Sequence, residues 1–213
     1  MENLIKDIYA AVLEGNGNET RDKVLDALGK GAQAEELLNQ GLIAAMKEVG
    51  QLFEDGEYFV PEMLVSARAM QSGMTILRPI LVSQDIKPVG KVVIGTVKGD
   101  LHDIGKNLVS MMLEGVGFQI IDLGTDVDPE KFLEAVNTHK PDIVGMSALL
   151  TTTMENIKNS IQYFNDKGVR GTFKVIVGGA PITQKYADEI GADGFAPDAS
   201  QAASVAKRLM GVA

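Results

Sequence analysis

The chain has 213 residues, of which 45% are hydrophobic and 23% charged, and it carries a formal net charge of −9 with no cysteine. The acidic balance and the lack of Lys/Arg clusters argue against nucleic acid and anionic membranes as partners, and no segment resembles a signal peptide or a membrane span, which predicts a cytoplasmic location. The missing cysteines exclude disulfides, iron–sulfur clusters and a cysteine nucleophile, and two histidines are too few for a zinc site built from this chain alone.

Residues 1–86 are predicted to form an all-helical domain. Apolar residues recur there at helical spacing, and glycine-containing loops separate the periodic segments. The predicted helices are one from about Leu4 that stops at Gly15, Thr20–Leu28, Ala34–Phe53, and one that begins at Pro61 and runs past Leu77. Four helices with short loops are typical of an antiparallel bundle. The polar segment Ser83–Gly90, which contains proline and glycine, is predicted to be the linker to a second domain.

Residues 87–213 are predicted to form an α/β domain, because apolar β-branched runs alternate there with helical patterns. The predicted strands are Lys91–Val97, Phe118–Leu123, Asp142–Ser147, Phe173–Val177 and Gly194–Ala196. Helices are predicted to begin near Gly105, Pro129, Thr152, Thr183 and Ser200. Five such units predict a flavodoxin-like, Rossmann-type fold in which helices cover both faces of a five-stranded parallel sheet.

The loop after the first predicted strand contains Asp100, His102 and Gly105. Open α/β sheets bind ligands at the carboxyl ends of their strands, so this loop is a candidate ligand site. Asp100 is close enough in sequence to hydrogen-bond one ring nitrogen of His102, which leaves the other free to coordinate a metal. A lone histidine suits a metal that brings its other ligands in a tetrapyrrole-like macrocycle. The alternative is an ordinary βα loop, and the exposed His139 is not expected to be a ligand.

Two further strand ends carry small or hydroxyl-bearing residues. They are Ser147, Leu149, Thr151 and Thr153 after the third predicted strand, and Gly178 and Gly179 after the fourth. Taken alone, each set has a simpler interpretation. Thr151 or Thr152 could cap the following helix, and the glycines could form a tight βα turn.

The segment from Asp100 to Gly105 closely resembles the D-x-H-x-x-G signature of corrinoid-binding domains, and S-x-L and G-G elements follow it in the family's order. This resemblance implies that His102 is the lower ligand of a corrinoid cobalt. It further implies that the nucleotide tail of the cofactor lies in a slot in the sheet domain. The cofactor-binding residues implied for this domain are Asp100, His102, Asp103, Gly105, Ser147, Leu149, Thr151, Thr153, Gly178 and Gly179.

The segment from Leu52 to Arg68 resembles the cap module of cobalamin-dependent methionine synthase. In that module apolar residues cover the upper, methyl-bearing face of the corrin, and the matching positions here are Phe53, Val60 and Met63. By spacing alone these three residues are equally compatible with a plain bundle core.

The whole chain is most similar to the small corrinoid proteins of three-component methyltransferase systems. The resemblance implies a methyl carrier that accepts a methyl group on cobalt(I) from a methyltransferase acting on methylamine, methanol or an aryl methyl ether. A second methyltransferase would receive the methyl group, and a reductive activation protein would be a further partner. In this interpretation the chain is a carrier subunit and not a complete enzyme.

Three alternatives stay open on the sequence. The first is the cobalamin subunit of an adenosylcobalamin mutase, although such subunits lack the cap segment. The second is a cobalamin-dependent sensor, although no basic helix-turn-helix segment is present to supply an output. The third is a flavodoxin-like or receiver-like module with no corrinoid.

Overall fold

The computed structural model of the chain describes residues 2–84 and 86–212. The chain divides into two compact units: residues up to Lys87 together with Gly115–Gly117, and Pro88–Glu114 together with the residues from Phe118 onward. Asp85, within the predicted linker, lies outside the described residues. Among the described helices, none combines the length and the apolar character needed to cross a membrane.

The first unit is helical, as predicted. Its elements are α1 (Glu2–Leu13), α2 (Gly17–Gly29), α3 (Ala34–Glu36), a π-helical segment (Leu37–Ile43), α4 (Ala44–Glu54) and α5 (Val60–Ser83). Local chemistry sets several of the ends. The Asn16 side chain accepts a hydrogen bond from the Glu19 N–H at the start of α2, and Glu62 accepts one from the Phe59 N–H at the start of α5. Helices α1, α2, α4 and α5 each bury residues of the apolar face that the periodicity predicts.

The predicted single helix Ala34–Phe53 is interrupted, because Leu37–Ile43 is π-helical. A π turn has poorer hydrogen bonding than an α turn and forms where tertiary packing favours it. Gly41 lies in this segment and packs so closely on α1 that an added Cβ would stand 3.1 Å from Cγ2 of Ile8. The close approach of α1 is not visible in the local sequence, so helical periodicity could not predict the interruption.

The second unit is the predicted doubly wound α/β domain. Its strands are β1 (Lys91–Thr96), β2 (Gln119–Asp122), β3 (Ile143–Ser147), β4 (Lys174–Gly178) and β5 (Gly194–Ala196). Its helices are α6 (Ile104–Gly115), α7 (Pro129–His139), α8 (Met154–Asp166), α9 (Gln184–Ile190) and α10 (Ala199–Met210), with a 3-10 turn at Arg170–Thr172. All neighbouring strands are parallel, in the order β2-β1-β3-β4-β5. This is the flavodoxin-like order, with a crevice where the winding reverses between β1 and β3.

An ion pair at the amino ends of β4 and β5 belongs to this scaffold. The Arg170 Nη2 donates to Asp193 Oδ2 over 2.6 Å, and the Val175 N–H donates to the same oxygen over 2.8 Å. Burial alone would raise the pKa of Asp193, but these hydrogen bonds outweigh burial and hold the pKa below its ordinary value. In a parallel sheet the ligand loops lie at the opposite, carboxyl ends of the strands, so this pair stabilises the fold and is remote from the candidate site.

Candidate functional site

The loop between β1 and α6 is anchored by side chains from two directions. The hydroxyl of Thr96, which is fully buried at the end of β1, donates to the carbonyl oxygen of His102 over 2.8 Å. The Gly99 N–H donates to Asp126 Oδ1 over 2.7 Å, and the Asp126 N–H donates to the Asp100 carbonyl over 3.0 Å. These bonds set the path of the loop before any ligand is bound.

Asp100 is the centre of the site. Its side chain is fully buried and accepts five hydrogen bonds. Oδ1 accepts from His102 Nδ1 at 2.7 Å and from the His102 N–H at 3.1 Å. Oδ2 accepts from the Leu149 and Leu150 N–H groups at 2.8 and 3.3 Å and from the Thr153 hydroxyl at 2.7 Å. One carboxylate therefore joins the loop after β1 to the loop after β3.

These hydrogen bonds determine the charge of Asp100. Burial would raise the pKa of its carboxyl, but the bonds from Thr153, Leu149 and His102 outweigh burial and hold the pKa far below its ordinary value. Asp100 is thus a carboxylate, which can only accept, so the proton of the neutral imidazole lies on His102 Nδ1. The His102 side chain is 50% exposed. Its Nε2 makes no hydrogen bond to any residue in the described part of the chain, so it carries a lone pair available to a metal.

Exposed apolar residues lie near this histidine in the chain or bind its partner Asp100. Leu101 and Ile104, on either side of His102 in the chain, are 73% and 76% exposed, and Leu149 and Leu150, whose N–H groups bind Asp100, are each 42% exposed. Large apolar residues this exposed and this close together indicate a surface that an apolar ligand covers. The sequence analysis names Leu149 as a candidate cofactor-binding residue and does not name the other three. Their position beside a candidate ligand was the available signal.

The hydroxyl residues after β3 have different environments. Ser147 is half-buried and Thr151 is exposed, and neither side chain hydrogen-bonds any other described residue, so both hydroxyls are available to a ligand. Helix α8 begins at Met154, so its N-cap residue is Thr153, whose side chain makes no capping bond and donates to Asp100. The alternative in which Thr151 or Thr152 caps this helix is therefore wrong.

The fold requires a glycine at position 179 and leaves little room for a side chain at position 178. An added Cβ at Gly178 would stand 3.0 Å from the backbone oxygen of Ala196 on the neighbouring strand. At Gly179, where φ is +123°, it would stand 1.9 Å from the backbone oxygen of Ala148. Their contact with a nucleotide tail stays a prediction, and substitution at either position would disturb the sheet as well as any slot.

Comparison with known proteins assigns the chain to a family. A model of the B12 binding domain matches residues 90–204, and a second B12 binding domain model matches residues 4–78. Dimethylamine corrinoid protein 3 of Methanosarcina acetivorans is 41% identical over 99% of this chain and 98% of its own length. Trimethylamine corrinoid protein 1 of Methanosarcina mazei is 38% identical over 98% of both chains. The chain belongs to the B12-binding corrinoid proteins.

A solved structure supports the same assignment. A chain of the methanol:cobalamin methyltransferase complex of Methanosarcina barkeri superposes with a TM-score of 0.89 and 29% sequence identity, covering 99% of this chain and 80% of that one. The cofactor of this corrinoid protein is a corrinoid. Its described residues fit that group, because His102 offers one unprotonated nitrogen beside exposed apolar side chains, which suits a metal that brings further ligands with it.

The cap residues of this corrinoid protein differ in exposure. Met63 is 1% exposed, Phe53 is half-buried and Val60 is 41% exposed. Phe59, which precedes α5, is 65% exposed. The exposure of Phe59 and Val60 leaves both side chains available to a ligand, whereas Met63 is as inaccessible as a core residue. That these residues cover the cofactor stays a prediction.

Proposed function

We propose that this corrinoid protein carries methyl groups between two methyltransferases and that His102 is the protein ligand of the cofactor's cobalt. The observation that carries the proposal is the 2.7 Å bond between His102 Nδ1 and the fully buried Asp100. It leaves the Nε2 of this half-exposed side chain with a lone pair that a metal can bind. The bound corrinoid supplies a metal centre that accepts and releases a methyl group. The protein orients the ligand, holds the Nδ1 proton and presents an apolar surface.

Each chain residue in this proposal has a distinct task. Asp100 keeps the imidazole in the tautomer that can bind a metal, and Thr153 holds Asp100 in place from 2.7 Å. Ser147 and Thr151 offer free hydroxyls to the polar tail of the cofactor. The exposed side chains of Leu101, Ile104, Leu149 and Leu150 would exclude water from the cofactor surface that contacts His102.

A methylamine is the methyl donor that we favour for this system. The corrinoid proteins named for dimethylamine and trimethylamine are 41% and 38% identical to this chain, whereas the chain from the methanol complex is 29% identical. The partners in this proposal are a methylamine-specific methyltransferase, an acceptor-side methyltransferase and a reductive activation protein.

The methyl donor can be tested with isotope-labelled substrates. The reduced, cobalamin-loaded chain is mixed with a methyltransferase specific for monomethylamine, dimethylamine, trimethylamine or methanol and with its labelled substrate, and protein-bound label is counted. We expect label from one methylamine system and at least about tenfold less from methanol, since a donor enzyme discriminates through its docking surface. Label from methanol alone, or no label from any of the four systems, would overturn the choice of a methylamine as donor.

Contact between the cap and the corrinoid can be tested at Val60. Val60→Ser removes an exposed apolar side chain, so the melting temperature of the cofactor-free protein is expected to stay the same. If the cofactor covers this residue, cobalamin binding should weaken by about fivefold, the value of roughly 1 kcal/mol of lost apolar burial. The matched control is Val65→Ser, on the same helix and 43% exposed. Equal binding by both variants and the unaltered protein would argue that the cap does not touch the corrinoid.

A further inference from the structure

A buried lysine lies in the first turn of α6, directly after the His102 loop. Lys106 is 3% exposed, and its ammonium group is bound by the carboxylate of Asp122 at the end of β2 and by Asn107 Oδ1 at 2.7 Å. Lysine is among the residues least often fully buried, because removing its charge from water is costly unless it is paired. A buried lysine charge beside a candidate ligand site is therefore unusual.

The contacts of Lys106 continue to the residue next to the proposed ligand. Asn107 accepts from Lys106 through its amide oxygen, so its amide nitrogen faces the other way and donates to Asp103 Oδ2 over 3.1 Å. The backbone N–H of Asn107 donates to the Asp103 carbonyl over 2.8 Å. An unbroken series of side chains thus runs from Asp122 through Lys106 and Asn107 to Asp103, the neighbour of His102.

We propose that Lys106 is a positioning residue for His102, an inference that depends on the proposed function of this histidine. Asp100 and Thr96 hold His102 from the sheet side, through its ring and its carbonyl oxygen. The series that begins at Lys106 holds the other side, because it ties Asp103 and the first turn of α6 to the end of β2. With both sides held, the imidazole is ordered before the cofactor arrives and less conformational entropy is lost on binding.

The location of the series favours a role at the ligand site over a role in fold stability alone. The sheet already has a partly buried ion pair, Arg170–Asp193, whose side chains are 17% and 22% exposed. That pair joins the amino ends of β4 and β5, far from the ligand loops. Lys106 and Asp122 instead meet at the carboxyl edge, and their partners end at the residue that follows His102. Substitutions in the two ion pairs can therefore be compared to distinguish an effect on fold stability from an effect on the position of His102.

The first test uses the full-length cofactor-free protein. The chain has only two histidines, so in imidazole NMR His139 is an internal reference for His102. Lys106→Met removes the charge while keeping the unbranched side chain. We expect it to broaden or average the His102 ring signals and to leave those of His139 unchanged. Arg170→Met is expected to lower the melting temperature without altering the His102 signals. Unchanged His102 signals in Lys106→Met, or equal changes in both variants, would overturn the proposal.

The second test adds cob(II)alamin to the same variants. Electron paramagnetic resonance counts the fraction of cobalt that shows splitting from a protein imidazole nitrogen, and an absorbance titration gives the Kd. Lys106→Met is expected to lower the histidine-bound fraction and to raise the Kd by about threefold to tenfold, the effect of ordering one side chain on binding. Arg170→Met is expected to match the unaltered protein in both measurements, and equal losses in the two variants would contradict positioning.

A second variant keeps the proposal testable if Lys106→Met does not fold. Asn107→Leu interrupts the series while leaving the pair between Lys106 and Asp122 intact, and it should reproduce the His102 NMR changes. Absence of those changes would overturn the proposal. Failure of the proposed function is seen separately, because the unaltered protein would then show no imidazole splitting with cob(II)alamin whatever the NMR result.

Discussion

Replacement of His102 by alanine is expected to abolish protein ligation of the corrinoid cobalt while leaving the fold intact. The His102 ring is half exposed, and within the described part of the chain it hydrogen-bonds Asp100 alone. The loss of stability should therefore be about 1.5–3 kcal/mol, the value of one bond to a charged group. With cob(II)alamin bound, the nitrogen splitting from a protein imidazole should disappear. Cobalamin affinity should fall by at least about 100-fold, beyond the range typical of losing a residue that only supports a metal ligand.

The other histidine of the chain supplies the control. His139 is exposed at the last residue of α7, and His139→Ala should bind cob(II)alamin with unaltered splitting. Free imidazole added to His102→Ala should restore a nitrogen signal, which shows that the vacated position still accepts a ligand. An unchanged spectrum in His102→Ala would mean that His102 is not the cobalt ligand.

Asp100→Asn is expected to weaken both the site and the fold. Every group that binds the Asp100 side chain is a donor, so the amide nitrogen of asparagine must face at least one N–H or O–H. Removing the charge while leaving buried donors unpaired should cost about 3 kcal/mol or more. The imidazole would also lose the acceptor that keeps the proton on Nδ1, so the histidine-bound fraction of cob(II)alamin should fall. Urea unfolding and electron paramagnetic resonance measure the two effects.

The pH dependence of the free energy of unfolding shows whether Asp100 stabilises the protein through its charge or only through the packing of its side chain. Because folding lowers the pKa of this carboxyl, its ionised form stabilises the protein above the unfolded pKa of about 3.9, and this contribution is lost as the pH falls through the lower folded pKa. The stability difference between the unaltered protein and Asp100→Asn should therefore be largest near neutral pH and narrow below about pH 4. Thr153→Val removes one donor and keeps the charge of Asp100. The stability difference between the unaltered protein and this variant should therefore narrow less below about pH 4. A difference that is constant with pH would mean that the carboxylate charge is not what stabilises the site.

Local pattern was sufficient to predict the architecture and the position of the ligand loop. The β-branched run of β1, the helical periodicity of α6 and the polar loop between them place His102 at the carboxyl end of a parallel strand. The order of the elements then leaves few topologies, because parallel crossovers are right-handed and short. Most element ends moved by one or two residues, and the start of α2 moved by three, from Thr20 to Gly17, because Asn16 caps that helix.

The burial of Lys106 also has a signal in the sequence. Lys106 precedes Leu113 by two helical turns, and Leu113 is buried. The lysine therefore falls on the apolar face of α6, and periodicity predicts its burial. Its partner could not be predicted in the same way, because Asp122 belongs to a different strand whose distance from α6 depends on how the sheet twists.

What the sequence determined by itself is the identity of the reactive groups and the order of the elements that carry them. Only the tertiary structure decided which groups meet. Asp100 accepts from Thr153 and Leu149, about fifty positions further along the chain, because β1 and β3 are paired in the sheet. Two further features also depend on contacts between distant segments. Gly178 faces the backbone of β5, and the π-helical segment Leu37–Ile43 packs against α1. Local spacing specifies periodicity, whereas contacts between distant segments depend on packing that no single segment encodes.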